Sequence, residues 1–358
     1  MRPRIFLIII FVLVKLHLFI PPSYSQDEYN LWQPIGMKGI YGGHVRAIAI
    51  NPLRTQTIYA GLKGGGVYKS TDAAESWFLS SNGLGNYNVL SLEIDPTDTN
   101  LVYAGTEKGL YRSTNAGKNW KRIFLDEDQV NDILIDSSSH IIYIAVGKLY
   151  GEDNSQKKLF WSEDNGNTWQ QHTFYHNNQP VDVYTIVGVY YDGDGPTTQD
   201  SLSLFVGTSN GIWISKNGKE WPDSFHKNDI WGAEVHDLAI YQKEPQYVYA
   251  GLNSGVIYST WYGERRNPQD VEDSWQQQDS TLSSHQITCL AIDPLNLYAG
   301  TKENGIFKTD AMMAQKQTEW SQLSIDAEFI YEIIINPHNN DTLYAATSIG
   351  LYKSTDSG

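Results

Sequence analysis

Apolar and polar positions alternate with a period of two in short runs, and those runs recur in one fixed order along the chain. The segments beginning at His44, Asn88, Gln129, Asp182, Glu234, Gln286 and Phe329 can be laid over one another. Each opens on an alternating strand, as in VRAIAI, VLSLEI, VNDILI, VHDLAI, ITCLAI and IYEIII. Asn-Pro or Asp-Pro often follows (Asn51-Pro52, Asp95-Pro96, Asp293-Pro294, Asn336-Pro337), and proline there halts pairing and starts a turn. A second strand reads TIYAG, LVYAG, LFVG, YVYAG, LYAG or LYAA. After a glycine-bearing turn comes a third, such as GVYKS, GLYRS, GIWIS or GIFKT, and then a polar box ending in tryptophan. Short β-branched and aromatic runs punctuated by Gly, Pro, Asn and Asp leave no room for helices.

Tryptophan closes the units at Trp77, Trp120, Trp169, Trp221, Trp275 and Trp320, at intervals of 43, 49, 52, 54 and 45 residues. Four short antiparallel strands per unit at this period predict an all-β fold, a seven-bladed β-propeller, because a ring leaves only short, protected edges. The seventh unit reaches Gly358 inside its box, without a tryptophan or a fourth strand, whereas Trp32 to Ile35 read as a fourth strand with no blade before them. The expectation is therefore that the N-terminal strand completes blade seven. The competing reading is a fragment that continues past Gly358 into further blades or another module.

Three boxes, STDAAESW (Ser70, Asp72, Trp77), STNAGKNW (Ser113, Asn115, Gly117, Trp120) and SEDNGNTW (Ser162, Asp164, Gly166, Trp169), resemble the Asp-box, or bacterial neuraminidase repeat, pattern Ser-x-Asp-x-Gly-x-Thr-Trp. Asp72, Asn115 and Asp164 can accept hydrogen bonds from turn amides, glycine permits the left-handed turn, and tryptophan packs between blades. Other copies depart: Ala74 replaces glycine, blade four is one residue short (SKNGKEW), blade five carries an insertion from Thr260 to Asp273, and blade six reads KTDAMMAQKQTEW. The resemblance implies that the box is a structural turn on the face opposite the binding surface. The family includes sialidases, xyloglucan-cleaving glycosidases, sortilin-type receptors, photosystem II assembly factors and secreted proteins without known activity, so fold alone does not choose a function.

The first 25 residues form an export signal expected to end before Gln26: basic Arg2 and Arg4, an apolar run from Ile5 to Ile20, and small Ser23 and Ser25 at the cleavage site. Residues 26 to 358 then form a single propeller domain, secreted or held in the cell envelope, with no membrane insertion after cleavage. The formal charge is −15, and losing Arg2, Arg4 and Lys15 makes it more negative. Such a surface repels phosphate backbones, so nucleic acid is not an expected partner. Cys289 is the only cysteine and sits in an apolar stretch, where it reads as a small buried hydrophobe. A monomer without cofactor or metal is expected. His226 with His236 has no ligand spacing, and Asp192-Gly-Asp-Gly195 lacks a nearby further carboxylate for calcium.

The first residues of the seven inner strands should ring the mouth of the central channel. An outer circle holds His44, Asn88, Gln129, Asp182, Glu234, Gln286 and Phe329. Two residues deeper come Arg46, Leu90, Asn131, Tyr184, His236, Thr288 and Tyr331, and then an apolar column of Ile48, Leu92, Ile133, Ile186, Leu238, Leu290 and Ile333. His236 beside Glu234 and Asp237, with His226, Asp229 and Trp231 in the preceding linker, forms the densest polar cluster. A polar and aromatic funnel above an apolar floor fits a glycan or a peptide, and the alternative is that these groups satisfy one another around channel water.

Enzymatic readings fare unevenly. A sialidase needs three arginines for the substrate carboxylate, but only Arg46 maps to the mouth, and the Phe/Tyr-Arg-Ile-Pro motif is missing. AGLKGGGVY (Ala60 to Tyr68) is similar to the segment in which xyloglucan-cleaving enzymes carry a catalytic aspartate, with Lys63 at that position here. Asp182 and Glu234 are the candidate pair if another carboxylate geometry hydrolyses a glycoside. The photosystem-assembly propellers carry an arginine patch that this acidic chain lacks. The expected function is non-catalytic binding of a glycan or protein ligand at the mouth. A glycoside hydrolase related to the xyloglucan-active group, and a scaffold module of a larger surface protein, are the alternatives.

Overall fold

The computed structural model describes residues 32–35, 43–148, 156–191, 201–215, 217–221, 232–241, 246–261, 275–277, 280–311 and 319–358. The candidates Trp231, His226 and Asp229, the Asp192–Gly195 segment and the export signal lie outside them.

Seven antiparallel blades form a ring. Their inner strands are Val45–Ile50, Val89–Ile94, Val130–Ile135, Val183–Tyr191, Val235–Tyr241, Ile287–Ile292 and Ile330–Ile335. Each packs on the inner strands of both neighbours, and the seventh returns to the first. Blade one continues outward through Ile58–Leu62, Gly66–Ser70 and Phe78–Leu79. Blade four shows three strands among the described residues. Blade seven takes its fourth strand from the other end of the chain: Gln33 pairs with Lys353 and Pro34 with Tyr352, and the Ile35 amide donates to the Leu351 carbonyl at 2.9 Å. The predicted closure by the N-terminal strand is therefore present. Proline is tolerated in this strand because it sits at a sheet edge, where one face of the ladder needs no donor.

Both faces of a blade are covered, so inner-strand side chains divide between two cores rather than between core and solvent. In blade one, Val45, Ile48 and Ile50 join Tyr344 and Leu351 of blade seven, while Ala47 and Ala49 join Val89 and Leu92 of blade two. The second strands place a fully buried aromatic ring at one equivalent position, Tyr59, Tyr103, Tyr143, Phe205, Tyr249, Tyr298 and Tyr344. Several of these hydroxyls reach the box turn of the next blade: Tyr249 donates to the Ala311 carbonyl, Tyr298 to that of Ser357 and Tyr344 to that of Ala73. The glycine of the repeated Tyr-Ala-Gly marks where the next inner strand approaches most closely. A Cβ on Gly61 would lie 2.5 Å from Val89 Cγ1.

The box residues build the same turn in successive blades. Ser70 Oγ accepts from the Ala74 amide and donates to Asp72, whose Oδ1 also accepts from the Ser76 amide. Ser113 with Asn115 and Ser162 with Asp164 repeat these contacts. The turn residue lies at positive φ: +82° at Gly117, +83° at Gly166 and +75° at Ala74, which carries a side chain into a region glycine occupies without strain. These hydrogen bonds hold the exposed Asp72 and Asp164 carboxyls down at about 2.

Candidate functional site

Every inner strand slips register against its second strand at one residue. In blade one Val45 pairs with Leu62 and Ala47 with Gly61, leaving Arg46 without a ladder partner. The same slip isolates Leu90, Asn131, Tyr184, His236, Thr288 and Tyr331. A bulge adds one residue to one strand and re-aims the side chains around it. All seven bulged residues line a single cavity of about 460 Å³ at the channel mouth.

The deeper circle anticipated from the sequence is thus a ring of bulges. Six candidates meet in the cavity wall: Arg46, Asn131, Tyr184, His236, Gln286 and Tyr331. Around them are two aromatic pairs. Tyr184 stacks on His236 with ring centres 5.9 Å apart and planes 13° apart, and Phe329 stacks on Tyr331 at 4.4 Å and 30°. His44 stands behind the second pair, with Nδ1 3.2 Å from the Tyr331 hydroxyl. His236 Nε2 lies 2.7 Å from Asn253 Oδ1 and 3.3 Å from the Gln286 amide nitrogen.

The remaining described candidates, His44, Asn88, Asp182 and Glu234, lie outside the cavity lining. Arg46 forms a 2.9 Å ion pair with Glu107, which also accepts from Asn88 Nδ2. Asp182 forms an ion pair with Lys157 at 3.1 Å and accepts the Lys148 amide. Glu234 accepts from Asn253 Nδ2 at 2.8 Å.

Below the rim, the structure departs from the expected apolar floor. Leu92 and Ile133 do face the cavity, but so do Glu93, Asp132, Asp237 and Glu332. Ile48, Ile186, Leu238, Leu290 and Ile333 pack instead into the cores between blades. The bulge is the cause: the slip turns the next residue toward the axis, and in blades three, five and seven that residue is an acid.

Three of these carboxylates bridge neighbouring blades. Asp132 accepts the amide of Ile186 at 2.8 Å, Asp237 that of Leu290 at 2.7 Å and Glu332 that of Ile48 at 2.7 Å. Asp132 and Asp237 also accept the amide that follows them in sequence, and Asp237 accepts the Thr185 hydroxyl. The Glu93 side chain makes no hydrogen bond among the described residues. Burial raises all four, most simply by making the charged form costly to desolvate. Glu93 is pushed up to about 8, with repulsion from Asp132 and Asp95 adding to desolvation. Desolvation takes Asp132 to about 7 and Asp237 to about 6. Glu332 is likewise held well above the carboxylate range. Cys289, buried as expected, also lines this cavity, and burial pushes its thiol up.

The class this geometry defines is a seven-bladed propeller with an aromatic-rimmed, carboxyl-floored cavity at one mouth of its channel. A family model described as Sortilin, neurotensin receptor 3 (Sortilin-Vps10) matches residues 65–185. A xyloglucanase from a Paenibacillus species is 27% identical over 234 residues, 55% of this chain and 22% of the enzyme. A probable oligoxyloglucan-reducing end-specific xyloglucanase from Neosartorya fischeri is 29% identical over 105 residues, 27% of this chain and 12% of the enzyme. The chain thus spans less than a quarter of either curated relative.

Solved structures share the fold at lower identity. The GH74 enzyme from Niastella koreensis superposes with a TM-score of 0.66 at 16% identity, covering 91% of this chain and 54% of that one. YCF48 from Cyanidioschyzon merolae gives 0.62 at 12%, covering 90% of this chain and 98% of that one. The extracellular domain of a putative one-component system from B. thetaiotaomicron gives 0.65 at 16%, covering 90% and 39%.

Proposed function

We propose that this chain is an exported propeller that binds a glycan in the channel-mouth cavity without hydrolysing it. The observation that carries this reading is the pair of aromatic stacks, Tyr184 with His236 and Phe329 with Tyr331, set around one cavity with hydrogen-bonding groups beside them. Aromatic faces pack on the apolar faces of sugar rings, and a few convergent polar groups fix their orientation. The matched curated relatives are named as xyloglucanases, which supports a glycan as the ligand. The similar propeller from B. thetaiotaomicron is an extracellular domain, which supports export.

Non-catalytic binding is favoured over hydrolysis by the rim carboxylates because these are committed elsewhere: Asp182 to Lys157, Glu107 to Arg46 and Glu234 to Asn253. A retaining or inverting hydrolase needs an acid and a second carboxylate free to act across the bond. Hydrolysis stays as the second reading because the curated relatives carry enzyme names. A glycan-array screen run beside reducing-sugar release on plant and bacterial polysaccharides separates the two. Binding without release, weakened in Tyr184→Ala or Tyr331→Ala, supports the proposal. Release abolished by Asp182→Asn or Glu234→Gln overturns it in favour of the hydrolase.

A further inference from the structure

The cavity floor is acidic and rich in hydrogen-bond acceptors. Glu93, Asp132, Asp237 and Glu332 converge on it from blades two, three, five and seven. Asn131, only 7% exposed, lines the same cavity. Its Nδ2 donates to the carbonyls of Gly147 and Val183 at 3.0 and 2.8 Å, while its Oδ1 has no donor. A buried oxygen without a donor is costly, and here it is accompanied by Glu93, which also has none among the described residues.

We propose, on the basis of the glycan reading above, that the cavity takes an amino sugar whose ring lies against the aromatic pairs and whose ammonium group sits among Asn131, Glu93 and Asp132. An ammonium brings three donors and no acceptor, matching a floor that has acceptors to spare. The ring faces above add attraction for a cation, and a chain with a formal charge of −15 concentrates cations around its surface. A neutral sugar brings hydroxyl donors but no positive charge for the acidic floor. A bare metal ion fits less well, because the described residues contain no group of three or more His, Cys, Asp or Glu arranged to hold one.

The other charged groups facing the cavity do not supply the missing cation. Arg46 is paired with Glu107. His236 is bonded through Nε2 to Asn253. Lys302 is exposed at the rim. Burial holds the Cys289 thiol neutral. A bound ammonium favours the ionised carboxylates, so binding releases carboxyl protons to the buffer.

Isothermal titration of the protein at pH 6.5 with four probes tests this: glucosamine tetramer, N-acetylglucosamine tetramer, cellotetraose and tetralysine. The expected result is that glucosamine tetramer binds at least about tenfold more tightly than its N-acetylated form. That preference should weaken as salt rises and shrink in Glu93→Gln, a variant that removes no hydrogen bond among the described residues. Equal affinity for the acetylated tetramer or cellotetraose overturns the amino-sugar assignment and leaves the glycan reading standing. Tetralysine binding with no sugar bound overturns both, as does failure to bind any probe when the array also stays blank.

Discussion

The Glu332 carboxylate of blade seven accepts the backbone amide of Ile48 in blade one at 2.7 Å, so an acidic side chain joins the last inner strand to the first. Asp132 does the same between blades three and four, and Asp237 between blades five and six. Removing one such acceptor leaves a buried amide unsatisfied. Glu332→Ala is expected to cost about 1.5–3 kcal/mol, and Glu332→Gln much less, since its amide oxygen still accepts. Denaturant melts of both variants check this, and equal losses would show that the bridge contributes little.

The acids also set how stability varies with pH. The folded-state values of Glu93, Asp132 and Asp237, at about 8, 7 and 6, lie above the roughly 4 of an unfolded carboxyl. Their contribution is therefore fully present below about pH 4 and is lost as pH rises through 6 to 8. Asp72 and Asp164, held at about 2, act oppositely: their contribution is present above about pH 4 and lost as pH falls toward 2. The melting temperature should thus peak near pH 4 to 5 and fall toward pH 9. A midpoint that climbs steadily from pH 5 to 9 would contradict this assignment.

Ring closure depends on Trp32 as well as on the two ladder pairs. Its side chain is 4% exposed and packs with Tyr298, Ile306, Leu343 and Tyr352. Trp32→Ala should lose about 3–5 kcal/mol, and deleting Gln26 to Met37 should cost at least as much by opening the edge of blade seven. Unchanged thermal unfolding of the truncated chain would show that closure carries no stability.

The box turns give a local test. Gly117 lies at φ +82°, and a Cβ there would sit 2.6 Å from Ser80 Oγ and 2.8 Å from the Tyr59 ring. Gly117→Ala combines left-handed strain with a clash against a buried ring, and a loss of about 1–3 kcal/mol is expected in a chemical melt. A loss within measurement error would mean that the turn relaxes around the methyl group.

Much of the architecture was legible because its signals repeat. Alternating strands recur with every blade, Tyr-Ala-Gly in blades one, two, five and six, and closing tryptophans in the first six, and Trp32 to Ile35 stood out as a strand without a blade. The rim was partly legible, since Arg46, Asn131, Tyr184, His236, Gln286 and Tyr331 are where strand alternation points them. The floor was not. A one-residue slip leaves no mark in the apolar pattern, because a blade buried on both faces tolerates either phase. VNDILI, VHDLAI and IYEIII read as ordinary alternation, and only the shared acid directly after Asn131, His236 and Tyr331 hinted that this position leaves the blade face. Glu93 gave no such hint, coming two residues further along its strand than the other three acids.

Pairing Gln33 with Lys353 also imposes a timetable on the chain. The strand around Gln33 is made long before its partner around Lys353, so blade seven stays incomplete until that partner has been made. Until then the first and seventh inner strands lack each other, and the Glu332 to Ile48 bridge has only one end. Contacts that distant in sequence slow folding, so an arrested or prematurely released chain presents open strand edges and is the form most exposed to proteolysis and aggregation.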